Sequence, residues 1–147
     1  MSAGTYSFFG CSGLTADTYN DSLFVYCSQA NNSGATFNVP DTIKYIAAGA
    51  FRANYILRHI YIPSGVTNIY ERTFESCEML CSMVLAGPSV VSLQNINAFN
   101  NCQINNTGSF GSPDSRVRVP SELVSGYQSG TNWVTLYNNN NNVFEAL

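Results

Sequence analysis

Cys77 and Cys81 form a C-x-x-x-C pair, and Glu71, Glu75 and Glu78 crowd the same short stretch. Such residues could ligate zinc or carry out acid–base chemistry. A structural zinc site takes four N or S ligands, and no second Cys or His pair lies nearby in the sequence. Acid–base work needs carboxylates tuned by burial, whereas Arg72 and the turn position place these glutamates on a solvated face. The single histidine, His59, stands between Arg58 and Ile60 with no acidic neighbour to tune it. It reads as an outward strand residue, not a general base. Asp17 and Asp21 flank a polar loop but lack the D-x-D-x-D-G spacing of a calcium loop. The glycines at 108 and 111 have no strand-to-helix context for phosphate. These readings assign no catalytic, metal-binding or cofactor-binding residue, and the chain is read as a non-enzyme without a cofactor.

The cysteines follow a different rule. Of the five, Cys11, Cys27, Cys77 and Cys102 each come three positions after a phenylalanine. That placement suits a repeated packing requirement, because free cysteine behaves as a small buried hydrophobe. Reduced thiols stacked in a core are expected, not a disulfide framework.

The elements that would position these side chains repeat. Val39–Ile62 and Ile62–Leu85 match position for position: Pro40 answers Pro63, Ile43 answers Val66, Ile46 answers Ile69, Phe51 answers Phe74, Asn54 answers Cys77 and Leu57 answers Leu80. Pro40, Pro63 and Pro88 each precede their phenylalanine by eleven residues. The Phe-x-x-Cys/Asn unit occurs five times, starting at Phe8, Phe24, Phe51, Phe74 and Phe99. Fixed periods of this size signal stacked repeats, with insertions falling in loops.

Within a unit, "HIYIP" alternates, so Ile60 and Ile62 face one way and Tyr61 the other. Proline ends that strand because it cannot donate to a ladder. A second short extended segment follows, then the phenylalanine corner. Asn54, in the place of a cysteine, could bond backbone groups of the neighbouring unit. Gln94 stands where an isoleucine is expected, between Leu93 and Ile96, so a local shift is expected there.

The pattern I-P-x-x-V-T-x-I-x-x-x-x-F-x-x-C-x-x-L resembles the BspA-type leucine-rich repeat over about residues 5–137. The resemblance implies a β-rich solenoid of short strands, 1–137, with irregular units over 1–38 and regular ones over 39–119. A small C-terminal helical cap is expected over 120–137, where Pro120 suits a first helical turn and Leu123, Val124 and Tyr127 share a face. The resemblance further implies a surface-exposed, extracellular protein-binding or adhesion module contacting host or microbial surfaces. The alternative is a structural subunit of a larger assembly such as a virion.

Composition agrees with a binding module more than with other classes. Only 10% of residues are charged and the net charge is −3, without a Lys/Arg cluster, so nucleic acid is not expected as a partner. No stretch reaches the roughly 20 apolar residues of a membrane span. The first residues do not read as a signal peptide. Tyr45, Tyr55, Arg58, Tyr61 and Tyr70 are the candidate partner-binding residues, expected on one flank, since Tyr and Arg are enriched at interaction hot spots. The Asn-rich run at 138–142 has no evident means of packing, so residues 138–147 are expected to be a flexible tail. Exposed apolar groups such as Phe8 predict that the N-terminal edge is covered by a second copy, another subunit or that tail folding back.

Overall fold

A computed structural model describes residues 18–19, 22–26 and 35–147 of the chain. Ten strands are described: β1 Thr18–Tyr19, β2 Leu23–Tyr26, β3 Thr36–Asn38, β4 Tyr45–Ile46, β5 His59–Ile62, β6 Asn68–Ile69, β7 Ser82–Leu85, β8 Ser92–Leu93, β9 Arg116–Val119 and β10 Phe144–Ala146. Two short helices, α1 Val124–Ser129 and α2 Trp133–Asn139, lie between β9 and β10. The strands form two five-stranded sheets, ordered β1-β2-β4-β6-β8 and β10-β9-β7-β5-β3. All pairs are parallel except β1 with β2. The chain adopts the β-rich repeat architecture that its sequence period implies.

Each repeat unit contributes one strand to each sheet, because proline interrupts the first strand and a second begins a few residues later. Alternation then sorts the side chains: in β5, His59 and Tyr61 are exposed while Ile60 and Ile62 are buried. Parallel pairing sets Ile60 against Met83 and Ile62 against Leu85, so equivalent side chains stack along the core.

The phenylalanine corner makes a third line of contact between units. Phe51 and Phe74 are fully buried. Ring centroids step from Phe51 to Phe74 by 5.3 Å, to Phe99 by 5.5 Å and on to Trp133 of α2 by 5.8 Å. These steps lie close to the roughly 4.8 Å spacing of neighbouring strands. Two residues after each phenylalanine the backbone turns left-handed, at Ala53 (φ 58°), Ser76 (φ 61°) and Asn101 (φ 52°). Such a turn costs a non-glycine residue about 1–2 kcal/mol. Bonds to the next unit help hold it: the Ala53 amide donates to the Glu75 carbonyl and the Ser76 amide to the Asn100 carbonyl, each at 2.8 Å.

Cys77 and Cys102 are buried thiols and Cys81 is a half-buried one, none of them in a disulfide among the described residues. The Cys77 Sγ donates to the Phe51 carbonyl at 3.0 Å, tying its corner to the preceding unit. Asn54 solves the same position differently: its Oδ1 accepts from the Ile56 and Leu57 amides of its own unit.

Two expectations change and one is met. Phe24 is not a corner residue: it lies in β2 opposite Ile46, although its ring still stacks on Phe51 at 5.0 Å. The local shift expected at Gln94 is present: Leu93, not Gln94, pairs with Ile69, one residue early. The displaced Gln94 turns its Oε1 to the Glu71 amide at 3.1 Å.

The other change is larger. Residues 138–147 do not form a flexible tail. α2 runs on to Asn139, and β10 pairs with β9 in the register Phe144 to Val117, Glu145 to Arg118 and Ala146 to Val119. Val143 and Phe144 are buried. The asparagines pack by bonding the loop that leads into β9. Asn139 Nδ2 donates to Asn105 Oδ1 at 2.9 Å, and Asn140 Nδ2 donates to the Pro113 carbonyl at 3.2 Å. Because β10 lies at the opposite edge of its sheet from β3, this segment does not fold back over the N-terminal end. The expectations for Phe8, Cys11 and Cys27, and for cover over that end, fall outside the described residues.

Candidate interaction surface

At β8 the first sheet stops, and side chains of the helical segment meet its free edge. Tyr127 Oη accepts from the Val91 amide at 3.0 Å, and Trp133 Nε1 donates to the Val91 carbonyl at 2.7 Å. Asn132 Nδ2 donates to the Leu93 carbonyl at 2.7 Å. Gly126 lets α1 approach: a Cβ there would stand 2.8 Å from Val90 Cγ2. An unpaired strand edge invites association with another chain, and this one is blunted. An open cleft of about 290 Å³ remains, lined by Val90 to Gln94 and Thr131 to Trp133.

The outer face of the second sheet is more open. Parallel register places Asn38, Tyr61, Val84, Arg118 and Glu145 in one row across β3, β5, β7, β9 and β10. A second row runs Thr36, His59, Ser82 and Arg116. Tyr61 is 39% exposed. At the rim where β5 begins, Tyr55 (53%) and Ile56 (44%) are the most exposed large apolar residues in the described repeat units. Arg58 follows them, exposed, with no ion pair among the described residues.

The five candidate residues therefore divide. Tyr55, Arg58 and Tyr61 gather at and beside β5. Tyr45 lies in β4 and Tyr70 directly after β6, in the other sheet. They do not share one flank, because the two strands of each unit enter different sheets. Ile56, Val84, Arg116 and Arg118 belong to the surface and were missed. The two arginines were readable, since the alternation of "RVRV" sends both to one face; Ile56, lying in a turn, gave no periodic signal.

The residues weighed for chemistry are dispersed. His59 is exposed on the outer face, while Cys102 is buried beneath the sheets. Burial pushes the Cys102 thiol up to about 12, against a smaller lowering by its hydrogen bond to the Ile104 backbone. A thiol held protonated is a poor nucleophile. Glu75 is ion-paired with Arg52 of the preceding unit. Among the described residues no three His, Cys, Asp or Glu side chains converge to hold a metal ion. No described helix is long and apolar enough to cross a membrane.

Short parallel strands, one to each sheet per unit, with a phenylalanine row between them, define a β-repeat protein. Residues 2–113 match six copies of the BspA type leucine rich repeat region, and the chain belongs to that family. No curated protein matches it. Among solved structures it is similar to the crystal structure of the pneumococcal vaccine antigen PcpA, at 14% identity and a TM-score of 0.46. That likeness covers 86% of this chain but 44% of the other, so the chain spans less than half of that structure.

Proposed function

We propose that the chain is a non-enzymatic protein-binding module, exposed at a cell surface, that engages its partner through the outer face of the β10-β9-β7-β5-β3 sheet. The observation that carries this reading is the cluster of Tyr55, Ile56 and Tyr61, exposed together around Arg58 on one strand and its rim. Exposed apolar residues gathered in a patch, unlike scattered ones, mark interaction sites. Aromatic and Arg side chains supply most of the energy at such sites. The two sheets wind as one solenoid, and α1 and α2 cap its C-terminal end by covering the β8 edge. Membership of the BspA-type repeat family supports a role in protein contact.

An array of extracellular-matrix proteins and intact cells, probed with the purified chain, tests the reading. Binding should be lost in Tyr61→Ser and Ile56→Ser and kept in Tyr45→Ser, which alters the other sheet. Equal binding by all three variants would refute it.

A further inference from the structure

The first sheet ends at β8, and the backbone groups of that edge can be accounted for one by one. Ser92 and Gln94 turn their amides toward β6, to the Thr67 and Ile69 carbonyls at 2.8 and 3.0 Å. The groups of Val91 and Leu93 therefore point the other way, since successive residues of a strand alternate. Val91 is satisfied twice, by Tyr127 Oη at its amide and Trp133 Nε1 at its carbonyl. The Leu93 carbonyl is satisfied by Asn132 Nδ2. The fourth group, the Leu93 amide, makes no hydrogen bond among the described residues, although Leu93 is only 4% exposed. Buried amides without a partner are rare in folded proteins. This one faces the cleft of about 290 Å³ between β8 and the segment from Thr131 to Trp133.

Asn132 adds a second unmet group. Its backbone holds φ at 65°, a conformation unfavourable for a non-glycine residue, and its side chain reaches β8 from there. With Nδ2 committed to the Leu93 and Gln94 carbonyls, its Oδ1 accepts nothing among the described residues. The walls contribute the exposed residues Ser92 and Thr131, each with a hydroxyl, beside the apolar Val90 and Trp133. No charged side chain lines the cleft.

We infer that this cleft binds one unit of an uncharged carbohydrate. A hydroxyl group both accepts and donates, so a sugar hydroxyl takes the Leu93 amide and gives to Asn132 Oδ1. Further hydroxyls meet Ser92 and Thr131, and the C–H face of the ring rests on Val90 and Trp133. A charged ligand would lose water here without finding a counter-charge. An extended polypeptide cannot add as a strand, because Val91, the next outward residue, is already bonded at both its amide and its carbonyl. The volume lies at the lower end of the roughly 300–1,000 Å³ usual for ligand sites, which suits a single ring. The site is separate from the outer face of the second sheet and does not depend on it.

Amide NMR spectra of the isotope-labelled full chain test the inference. The probes are glucose, galactose, mannose and N-acetylglucosamine, the charged sugars glucuronate and glucosamine, and an end-capped trialanine peptide, each titrated to its solubility. At least one neutral sugar should move the Leu93 amide and Trp133 indole signals in a saturable way. Thr131→Val should weaken that binding roughly three- to tenfold, as loss of one neutral hydrogen bond implies. Thr131→Trp, which fills the cleft from an exposed position, should abolish the shifts. Ser92→Trp, on the β8 wall, serves the same purpose if the first variant disturbs the rest of the spectrum. Tyr61→Ser should leave the shifts unchanged, which separates this site from the outer face. A Leu93 signal unmoved by every neutral sugar would mean that water alone meets the amide, and would overturn the inference. Stronger binding of a charged sugar or of the peptide would overturn the ligand class, and shifts that survive the filling of the cleft would overturn the site.

Discussion

Between Pro40 and Phe74 buried side chains stack on their own equivalents in the next unit, as Ile46 does on Ile69 and Phe51 on Phe74. From Arg116 to Leu147 that repetition gives way. There α1 and α2 replace the next strand of the first sheet, and β10, distant in sequence, completes the second. Both regions bury aromatic rings, yet the first is held by superposed shapes and the second by individual side-chain hydrogen bonds to a strand edge. Repetition makes an interior easy to extend but leaves it unfinished at its last unit, since each unit needs a neighbour to bury its face. The end is where specific, unrepeated residues are required.

Substitutions that separate these two kinds of support should differ in size. The largest effect belongs to the row: Phe74→Ala should cost about 3–5 kcal/mol in urea melts, because its cavity opens between two stacked rings. Phe144→Ala, at the sheet edge, should cost about 3 kcal/mol, the lower end of the same range. A flexible tail would lose nothing measurable there. Tyr127→Phe keeps the ring and removes only the acceptor for the buried Val91 amide, so about 1–3 kcal/mol is expected.

The last effect is a pH dependence carried by Cys102. Cys102 keeps its proton in the fold to about pH 12, whereas an exposed thiol releases it near 9.0. Its contribution is therefore complete below pH 9 and lost as pH rises from there towards 12. Relative to Cys102→Ala, the parent chain should lose about 1.4 kcal/mol for each pH unit in that window. Parallel urea melts at two alkaline pH values would show it; equal losses would mean the thiol is not sealed in the core.

These two regions also differ in how far the sequence disclosed them. Phe51, Phe74, their prolines and the inward isoleucines were legible because sterically equivalent positions recur at nearly constant spacing. Outward His59 and Tyr61 followed from simple alternation. Phe24 misled, since a phenylalanine followed three residues later by cysteine occurs there in strand register instead of at a corner. Leu93 in place of Gln94 was foreseen as a shift but not as to its direction, which depends on the neighbouring strand. The asparagine run misled most. Composition treats Asn139 and Asn140 as loop formers, whereas their amides bond Asn105 and Pro113, partners more than twenty residues away. Of the candidate surface, the part on β5 was legible and its extension over β7 and β9 was not, because it required knowing which strands become neighbours.

Amide hydrogen exchange tests most directly whether the unrepeated end is part of one cooperative structure. The Val117 amide donates to the Val143 carbonyl and the Leu147 amide to the Val119 carbonyl, so each strand protects the other. Leu147 and Glu145 should exchange as slowly as Val117 and on the same timescale as the core amides of β7. Free-peptide exchange rates over residues 143–147, with β7 still protected, would contradict the account.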